Sequence, residues 1–204
     1  GIYSIEKFLV ARRFMYWQVY LHKTGIAAEQ MLIAFMKKLK NEYPKGGTEY
    51  ISIPLMKLFE LSEKKDNRIT PELIESFCKV DDTDIVYTLK IQGDNSDKVL
   101  QYLSDSILNR VLFKVALQNE AITEEIIQNT RSQLLNNNRF SISDLDYLVL
   151  TGSESNQTYN KDKEKILILM KSGHIYPLEE ISDYDMGSKP IVKHYICSPK
   201  SLIT

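Results

Sequence analysis

Cysteine, glycine and histidine are scarce in this chain of 204 residues, and each shortage excludes a class of site. The two cysteines, Cys78 and Cys197, lack CxxC spacing, which argues against a zinc site and favours a reducing compartment, the cytoplasm. Eight glycines without a GxGxxG or GxxxxGK[ST] motif exclude the usual glycine-rich phosphate loops. The histidines His22, His174 and His194 are scattered, so no histidine-based metal set can be assembled.

The charge balance also limits the partners. The formal net charge is -1, whereas general nucleic-acid binders carry a basic excess. No apolar run is long enough to span a bilayer. We therefore expect neither a membrane nor a specific nucleic acid as partner, and anion binding has to come from local clusters of cations. Because the chain begins Gly-Ile-Tyr without an initiator methionine, we expect a preceding N-terminal part.

Helical patterns fill the first half of the sequence. An apolar pattern runs from Ile5 to about His22 behind a cap at Ser4, with a kink or break at Gly25, and a second helix continues to a breaker cluster at 43–47. Shorter helices are predicted at 54–61, at 71–78 behind Thr70, from Asp82 or Thr83, and from a cap at Asn95 or Ser96 to Asn109.

The pattern changes after Arg110. Strands are predicted at 111–117, 146–151, 165–171 and 190–196, with helices at 123–137 and 177–182. The resulting order, β-α-β-β-α-β, is that of the split-βαβ or ferredoxin-like arrangement. The predicted fold class is therefore α+β: a mainly helical part at 1–110, then a small antiparallel-sheet lobe at 111–204.

The segment "ARRFMYWQVYLHKTG" (11–25) combines many apolar side chains with several cations. Arg12, Tyr16 and Tyr20 follow each other at i, i+4 and i+8, and Lys23 comes three residues later, so all four are expected along one stripe of a helix. A guanidinium fits phosphate or carboxylate, and a tyrosine offers a flat face and a hydroxyl. A helix that is apolar nearly all round should be buried, so Arg12 needs an anionic partner. That partner is either a carboxylate of the same protein or a ligand phosphate.

An acidic run at 81–84 allows a cation site, but acids at a helix start more often act as caps, which is the interpretation we favour.

Three segments resemble, in the same order, the HD-superfamily dNTP triphosphohydrolases, the family that includes the sterile-alpha-motif and HD-domain dNTPase and its bacterial relatives. These segments are "FLVARRFMYWQVYLHKTGIAAEQML" (8–32), "KVDDTDIVYTLK" (79–90) and "NRVLFKV" (109–115). The resemblance implies that Arg12 contacts the substrate triphosphate and that Tyr20 lines the same pocket. Tyr16 stands where some relatives have histidine.

The resemblance further implies an allosteric nucleotide site at subunit contacts, formed by His22, Lys23, Arg110 and Lys114. If both stood in a strand, the i, i+4 spacing of Arg110 and Lys114 would put them on one face, as a polyphosphate site requires.

The family's His…His-Asp…Asp set binds a divalent metal ion (Mg²⁺ or Mn²⁺), but this chain contains no His-Asp dipeptide. We therefore expect the HD metal site upstream of Gly1, no metal ion bound by this chain, no complete catalytic set and no hydrolysis by the chain alone. The implied activity of the intact protein is hydrolysis of deoxynucleoside triphosphates to deoxynucleoside and triphosphate, by a homo-oligomer (dimer or tetramer) whose C-terminal lobe serves regulation or assembly.

Two alternatives remain open at this point. One is a non-catalytic nucleotide-sensing and oligomerisation module. The other is a purely structural protein, which requires that Arg12 and Arg110 are paired with carboxylates of the same chain.

Overall fold

A computed structural model describes residues 1–43, 51–62, 69–136, 138–156, 165–183 and 191–200. Its helices are α1 (Ile2–Met15), a π-turn (Tyr16–Tyr20), α2 (Lys23–Glu42), α3 (Ile53–Ser62), α4 (Pro71–Cys78), α5 (Asp82–Gln92), α6 (Lys98–Leu108), α7 (Glu124–Leu135), a 3-10 segment (Ile142–Tyr147) and α8 (Leu178–Ile181). Its strands are β1 (Lys114–Gln118), β2 (Leu150–Asn156), β3 (Leu167–Leu169), β4 (Ile175–Pro177) and β5 (Ile191–Ser198). Among these described helices, none has the length and apolar character needed to cross a membrane.

Side-chain caps set the starts of the short helices. The Thr70 hydroxyl accepts the Leu73 N–H at 3.2 Å, with Pro71 in the first turn of α4, as predicted. The acidic run at 81–84 forms a capping box at the start of α5, which confirms its interpretation as a cap. The predicted cap of α6 is wrong by one or two residues, because the Asn95 side chain accepts the N–H of Asp97 and Asp97 is the cap.

The helix break near the start of the chain lies before Gly25. The Leu21 N–H donates to the Tyr16 carbonyl at 2.7 Å, the i to i−5 bond of a π-turn, and α2 then begins after His22. The His22 Nδ1 accepts the Thr24 N–H at 3.2 Å and so caps α2. Gly25 therefore lies inside the first turn of α2, and the predicted break at this glycine is wrong.

The sheet of the second half has the strand order β1-β5-β2, and both neighbours run antiparallel to β5. β1 and β2 are consequently parallel to each other with one strand between them, as a split-βαβ unit requires. The α+β class and the small antiparallel sheet behind a mainly helical part are confirmed.

The ferredoxin-like strand order is wrong in detail. The strand between β1 and β2 is the last strand of the chain, and β3 forms a separate hairpin with β4. The reason is a tight turn, because the Met170 N–H donates to the His174 carbonyl and Gly173 adopts a φ of 85°. This turn returns the chain directly onto β3.

The predicted strand at 146–151 begins too early. The Ser141 N–H donates to the Asp144 carboxylate at 2.8 Å, and the Ser141 hydroxyl donates to the same oxygen. This capping box starts a 3-10 segment through Tyr147, so β2 begins only at Leu150.

One hydrophobic core joins the two halves of the chain. Residues before and after position 110 contribute to it, including the fully buried side chains Phe35, Leu103, Leu145 and Cys197. A second, small cluster contains Leu9 of α1 and Leu178.

The first helix is not the buried helix that its composition predicted. Leu9 is the buried residue of α1, whereas Phe8 is 63% and Phe14 56% exposed. α1 carries apolar side chains on all of its faces, and the other described residues cover only one of these faces.

Candidate functional site

Three of the four residues predicted along one helical stripe, Arg12, Tyr16 and Tyr20, form a continuous row of side chains in the structure. The fourth, Lys23, lies beyond the helix break and begins α2, so the prediction of a single four-residue stripe is wrong for Lys23. The Arg12 guanidinium carbon lies 5.7 Å from the centre of the Tyr16 ring, and the Tyr16 and Tyr20 ring centres are 5.2 Å apart. Arg12 is exposed, and no carboxylate of the described residues lies within ion-pair distance of it. A purely structural role for Arg12 would require an ion pair with a carboxylate of the same chain, and the described residues do not provide one.

A second group of cations surrounds one pocket of about 370 Å³, called the basic pocket here. Its polar lining consists of Lys23, Thr24, Arg110, Lys114 and Lys200, and its apolar lining of Leu112, Phe113 and Val115. None of the lining residues is acidic, so the pocket concentrates positive charge without a carboxylate in its wall. Such a pocket suits a polyanion, because ammonium and guanidinium groups make short, charge-assisted hydrogen bonds to phosphate oxygens.

Three of the four residues assigned to an effector site from the sequence meet in the basic pocket. Lys23 is the first residue of α2, Lys114 is the first residue of β1, and Arg110 follows α6. His22, the fourth, does not line the pocket and caps α2 instead.

Sequence reasoning missed Lys200. Lys114 lies opposite Ser198 in the β1–β5 register, and this pairing brings the residue two positions beyond Ser198 to the pocket. No local pattern around Lys200 indicates a ligand contact, so only knowledge of the strand pairing could have found it.

The backbone at Arg110 is not in the extended conformation on which the shared-face argument depends. The Arg110 N–H donates to the Ile107 carbonyl and the Val111 N–H to the Ser106 carbonyl, which is a Schellman motif at the end of α6. Arg110 occupies the position where glycine is usual, with a φ of 57°. The argument that Arg110 and Lys114 share a strand face is therefore wrong. They approach the same pocket because a helix end turns directly into β1.

An ion pair fixes the two helices that reach the basic pocket. The Lys38 ammonium in the last turns of α2 lies 2.9 Å from the carboxylate of Asp97 at the start of α6, and 3.1 Å from Glu42. Burial opposes ionisation of Asp97, but the hydrogen bond from Lys38 and the capping N–H groups prevail and lower the pKa of this carboxyl. Because the C-terminal end of α2 is paired with the N-terminal end of α6, the two helices run antiparallel. The start of α2, with Lys23, therefore lies beside the end of α6, with Arg110.

The described residues contain no group of three or more His, Cys, Asp or Glu side chains that could hold a metal ion. They do not fit the divalent metal centre implied by the resemblance.

Comparison with known proteins relates the fold to a class of enzyme. The chain superposes on a crystal structure of a phosphohydrolase from Bacteroides thetaiotaomicron with a TM-score of 0.85 and 36% identity, over 98% of this chain and 51% of that one. The chain has a phosphohydrolase-like fold. A hypothetical protein from Aquifex aeolicus shares the fold at a TM-score of 0.56 and 21% identity, over 99% of this chain and 43% of that one.

Sequence relatives are more distant. The uncharacterized protein YwfO of Bacillus subtilis is 24% identical over 213 aligned positions, which cover 100% of this chain and 46% of YwfO. An uncharacterized protein of Mycoplasma pneumoniae is 25% identical over 112 positions, which cover 54% of this chain and 26% of that protein. No protein-family model matches the chain. The chain thus spans about half the length of YwfO and of the Bacteroides phosphohydrolase.

Proposed function

We propose that this chain is the nucleotide-binding, regulatory half of a cytoplasmic metal-dependent phosphohydrolase that acts on deoxynucleoside triphosphates. The observation that carries the proposal is the basic pocket, where Lys23, Arg110 and Lys114 come together from distant parts of the sequence. The similarity to the Bacteroides phosphohydrolase supports the reaction class, and the resemblance of the sequence to the HD-superfamily dNTP triphosphohydrolases supports the substrate class.

In this proposal the stripe of α1 and the π-turn contacts the substrate. Arg12 is exposed and its ion-pairing capacity is not used by the described carboxylates, so its guanidinium can neutralise phosphate charge. Tyr16 and Tyr20 stand next in the row and offer ring faces and hydroxyls to the sugar and base. The divalent metal ion would activate the attacking water, and its ligands would come from the part of the protein outside this chain.

The basic pocket is assigned to an effector nucleotide. Four cations around one cavity match the charge of a triphosphate, and the apolar lining gives a surface for the rest of the nucleotide. Its position at the start of α2, on the C-terminal side of the π-turn, separates it along the chain from Arg12 on the other side. His22 would contribute by fixing the first turn of α2, to which Lys23 belongs.

The test uses the full-length gene product with Mg²⁺ or Mn²⁺ and each of the four deoxynucleoside triphosphates, with and without dGTP as effector. Release of inorganic triphosphate is the expected result. Arg12→Ala should lower kcat/KM, whereas the neighbouring Arg13→Ala is a matched control outside the stripe and should have little effect. Arg110→Ala and Lys114→Ala should leave basal turnover unchanged and weaken activation by dGTP. No triphosphate release from any substrate under any of these conditions would refute the enzymatic proposal.

The second candidate, a nucleotide-sensing and oligomerisation module, rests on the same pocket. It predicts that nucleotides raise the thermal midpoint of the full-length protein without turnover, and that this shift is lost in Arg110→Ala. Homo-oligomerisation to a dimer or tetramer belongs to both proposals, and light scattering with and without dGTP measures it.

A further inference from the structure

The single tryptophan of the chain lies inside the π-turn and contacts a lysine near the start of strand β5. The Lys193 ammonium is 4.7 Å from the centre of the Trp17 ring, within the range of a cation–π contact. Both side chains are half-buried. Trp17 directly follows Tyr16, so the contact acts on the turn that carries the two tyrosines of the stripe.

The π-turn sets the direction of Tyr20 relative to Arg12 and Tyr16. A π-helical turn holds more residues than an α-helical turn, in which each residue corresponds to a rotation of about 100°. If Tyr16–Tyr20 adopted the α-helical bonding pattern instead, the angle between the Tyr16 and Tyr20 side chains would change, and the row of Arg12, Tyr16 and Tyr20 would be disturbed at its Tyr20 end. Whatever holds the π-turn in place therefore holds the stripe in place.

Lys193 is well placed to do this because its own backbone is fixed. It lies opposite Glu154 in the β2–β5 register, and the next residue, His194, is paired with Ser153 of β2 and Gln118 of β1. A lysine on a loop would bring its ammonium to the ring less reproducibly, because its own backbone would be less constrained.

The same strand leads to the basic pocket. Ser198 at the end of β5 pairs with Lys114, and Lys200 lines the pocket itself. Strand β5 thus carries Lys193 near its start, and its last residue pairs with Lys114, which lines the basic pocket.

We propose that Lys193 is a positioning residue for the substrate stripe: its ammonium on the Trp17 ring holds the π-turn, and with it Tyr16 and Tyr20, in the orientation that receives the nucleotide. This inference rests on the proposed function for its consequence in turnover, but the contact itself can be tested without turnover.

The first measurement is the emission of Trp17 in the full-length protein, taken as the difference between the wild type and Trp17→Phe. Lys193→Gln should shift this difference spectrum, because it removes a charge from the ring face, and Lys193→Arg should restore it in part. Lys98→Gln, which removes an exposed charge at the start of α6, is the matched control and should leave the spectrum unchanged. An identical Trp17 spectrum in wild type and Lys193→Gln would overturn the inference, whether or not the protein is an enzyme.

The second measurement is kinetic. Lys193→Gln should lower kcat/KM for triphosphate release by about fivefold, the size expected from the loss of one cation–π contact. Lys193→Arg should retain most of the activity, because a guanidinium also stacks on an indole. In a Trp17→Leu background the Lys193→Gln change should have no additional effect. An equal loss in both backgrounds would mean that Lys193 acts by another route, and would overturn the proposal. If the wild type releases no triphosphate, the enzymatic proposal fails, while the Trp17 spectrum still tests the contact on which the positioning role depends.

Discussion

Replacement of Arg110 by glycine should stabilise the protein and weaken its response to an effector nucleotide at the same time. Arg110 has a φ of 57° at the end of α6, in the left-handed region. An L-residue pays about 1–2 kcal/mol for this conformation, whereas glycine adopts it without a steric penalty. Glycine also has more conformational freedom in the unfolded chain, which costs about 0.5–1 kcal/mol. The expected net gain in the free energy of unfolding is about 0.5–1 kcal/mol.

Arg110→Ala is the matched comparison, since alanine also lacks the guanidinium but keeps the Cβ atom. Arg110 is exposed, and no carboxylate of the described segments pairs with it, so loss of its side chain should change stability by less than about 0.5 kcal/mol. Urea unfolding of the two variants and the wild type measures the stability difference, with equal m-values as the check that the unfolded states are comparable. Titration with dGTP, followed by activation or thermal midpoint, measures the response to the effector.

Two results would refute this reasoning. If Arg110→Gly is less stable than Arg110→Ala, the left-handed conformation is not a source of strain and Arg110 is not kept at a cost in stability. If both variants respond to dGTP as strongly as the wild type, the guanidinium does not contact the effector, and the unusual residue at this helix end has no explanation in nucleotide binding.

Three further predictions concern parts of the fold away from the nucleotide. Gly152→Ala should lower stability by about 1–3 kcal/mol, because the new Cβ would lie 2.6 Å from a ring carbon of Tyr195, and urea unfolding should show that a Tyr195→Ala background removes most of this penalty. Asp97→Asn should cost about 1–2 kcal/mol at neutral pH, since Lys38 loses a charged hydrogen bond. The pKa of Asp97 is lower in the folded state than in the unfolded one, so ionised Asp97 stabilises the wild type at pH values above the ordinary pKa of an aspartate. This contribution is lost as the pH falls through the folded-state pKa. The free energies of unfolding of wild type and Asp97→Asn should therefore converge in acid. Burial raises the pKa of Cys197 to about 12, so iodoacetamide at mildly alkaline pH should leave this thiol unlabelled in the native protein, and peptide mass spectrometry that finds it alkylated would contradict the structure.

The sequence was most informative where structure depends on neighbouring residues. The start of α4 at Pro71 was predicted from a threonine cap and a first-turn proline, and the start of α5 at Asp82 from its acids, since capping involves only residues within one turn. Helical spacing predicted the row of Arg12, Tyr16 and Tyr20, although a π-turn takes the place of a regular helical turn there. The same spacing placed Lys23 on this row, which is wrong because the helix breaks before it.

Features that depend on distant residues could not be predicted in this way. The place of β5 between β1 and β2 follows from pairing across most of the second half of the chain, and the contribution of Lys200 to the basic pocket follows from that pairing. The exposure of α1 also escaped prediction, because its composition is apolar all round and gives no preferred face. The functional roles of Arg12, Tyr16, Tyr20, Lys23 and Lys114 remain predictions for the experiments above.

The position of β5 between β1 and β2 affects folding during synthesis, because both strands are made before β5. β1 leaves the ribosome roughly 75 residues before its hydrogen-bonding partner β5, and β2 also emerges before β5. Among the described residues, both strands pair only with β5. During synthesis the two strands therefore expose unpaired edges that a helical region formed earlier cannot satisfy. A premature stop before Ile191 would remove the partner of both strands at once, so such a product should be a target for chaperones and proteases even though the helices and the other strands have been made.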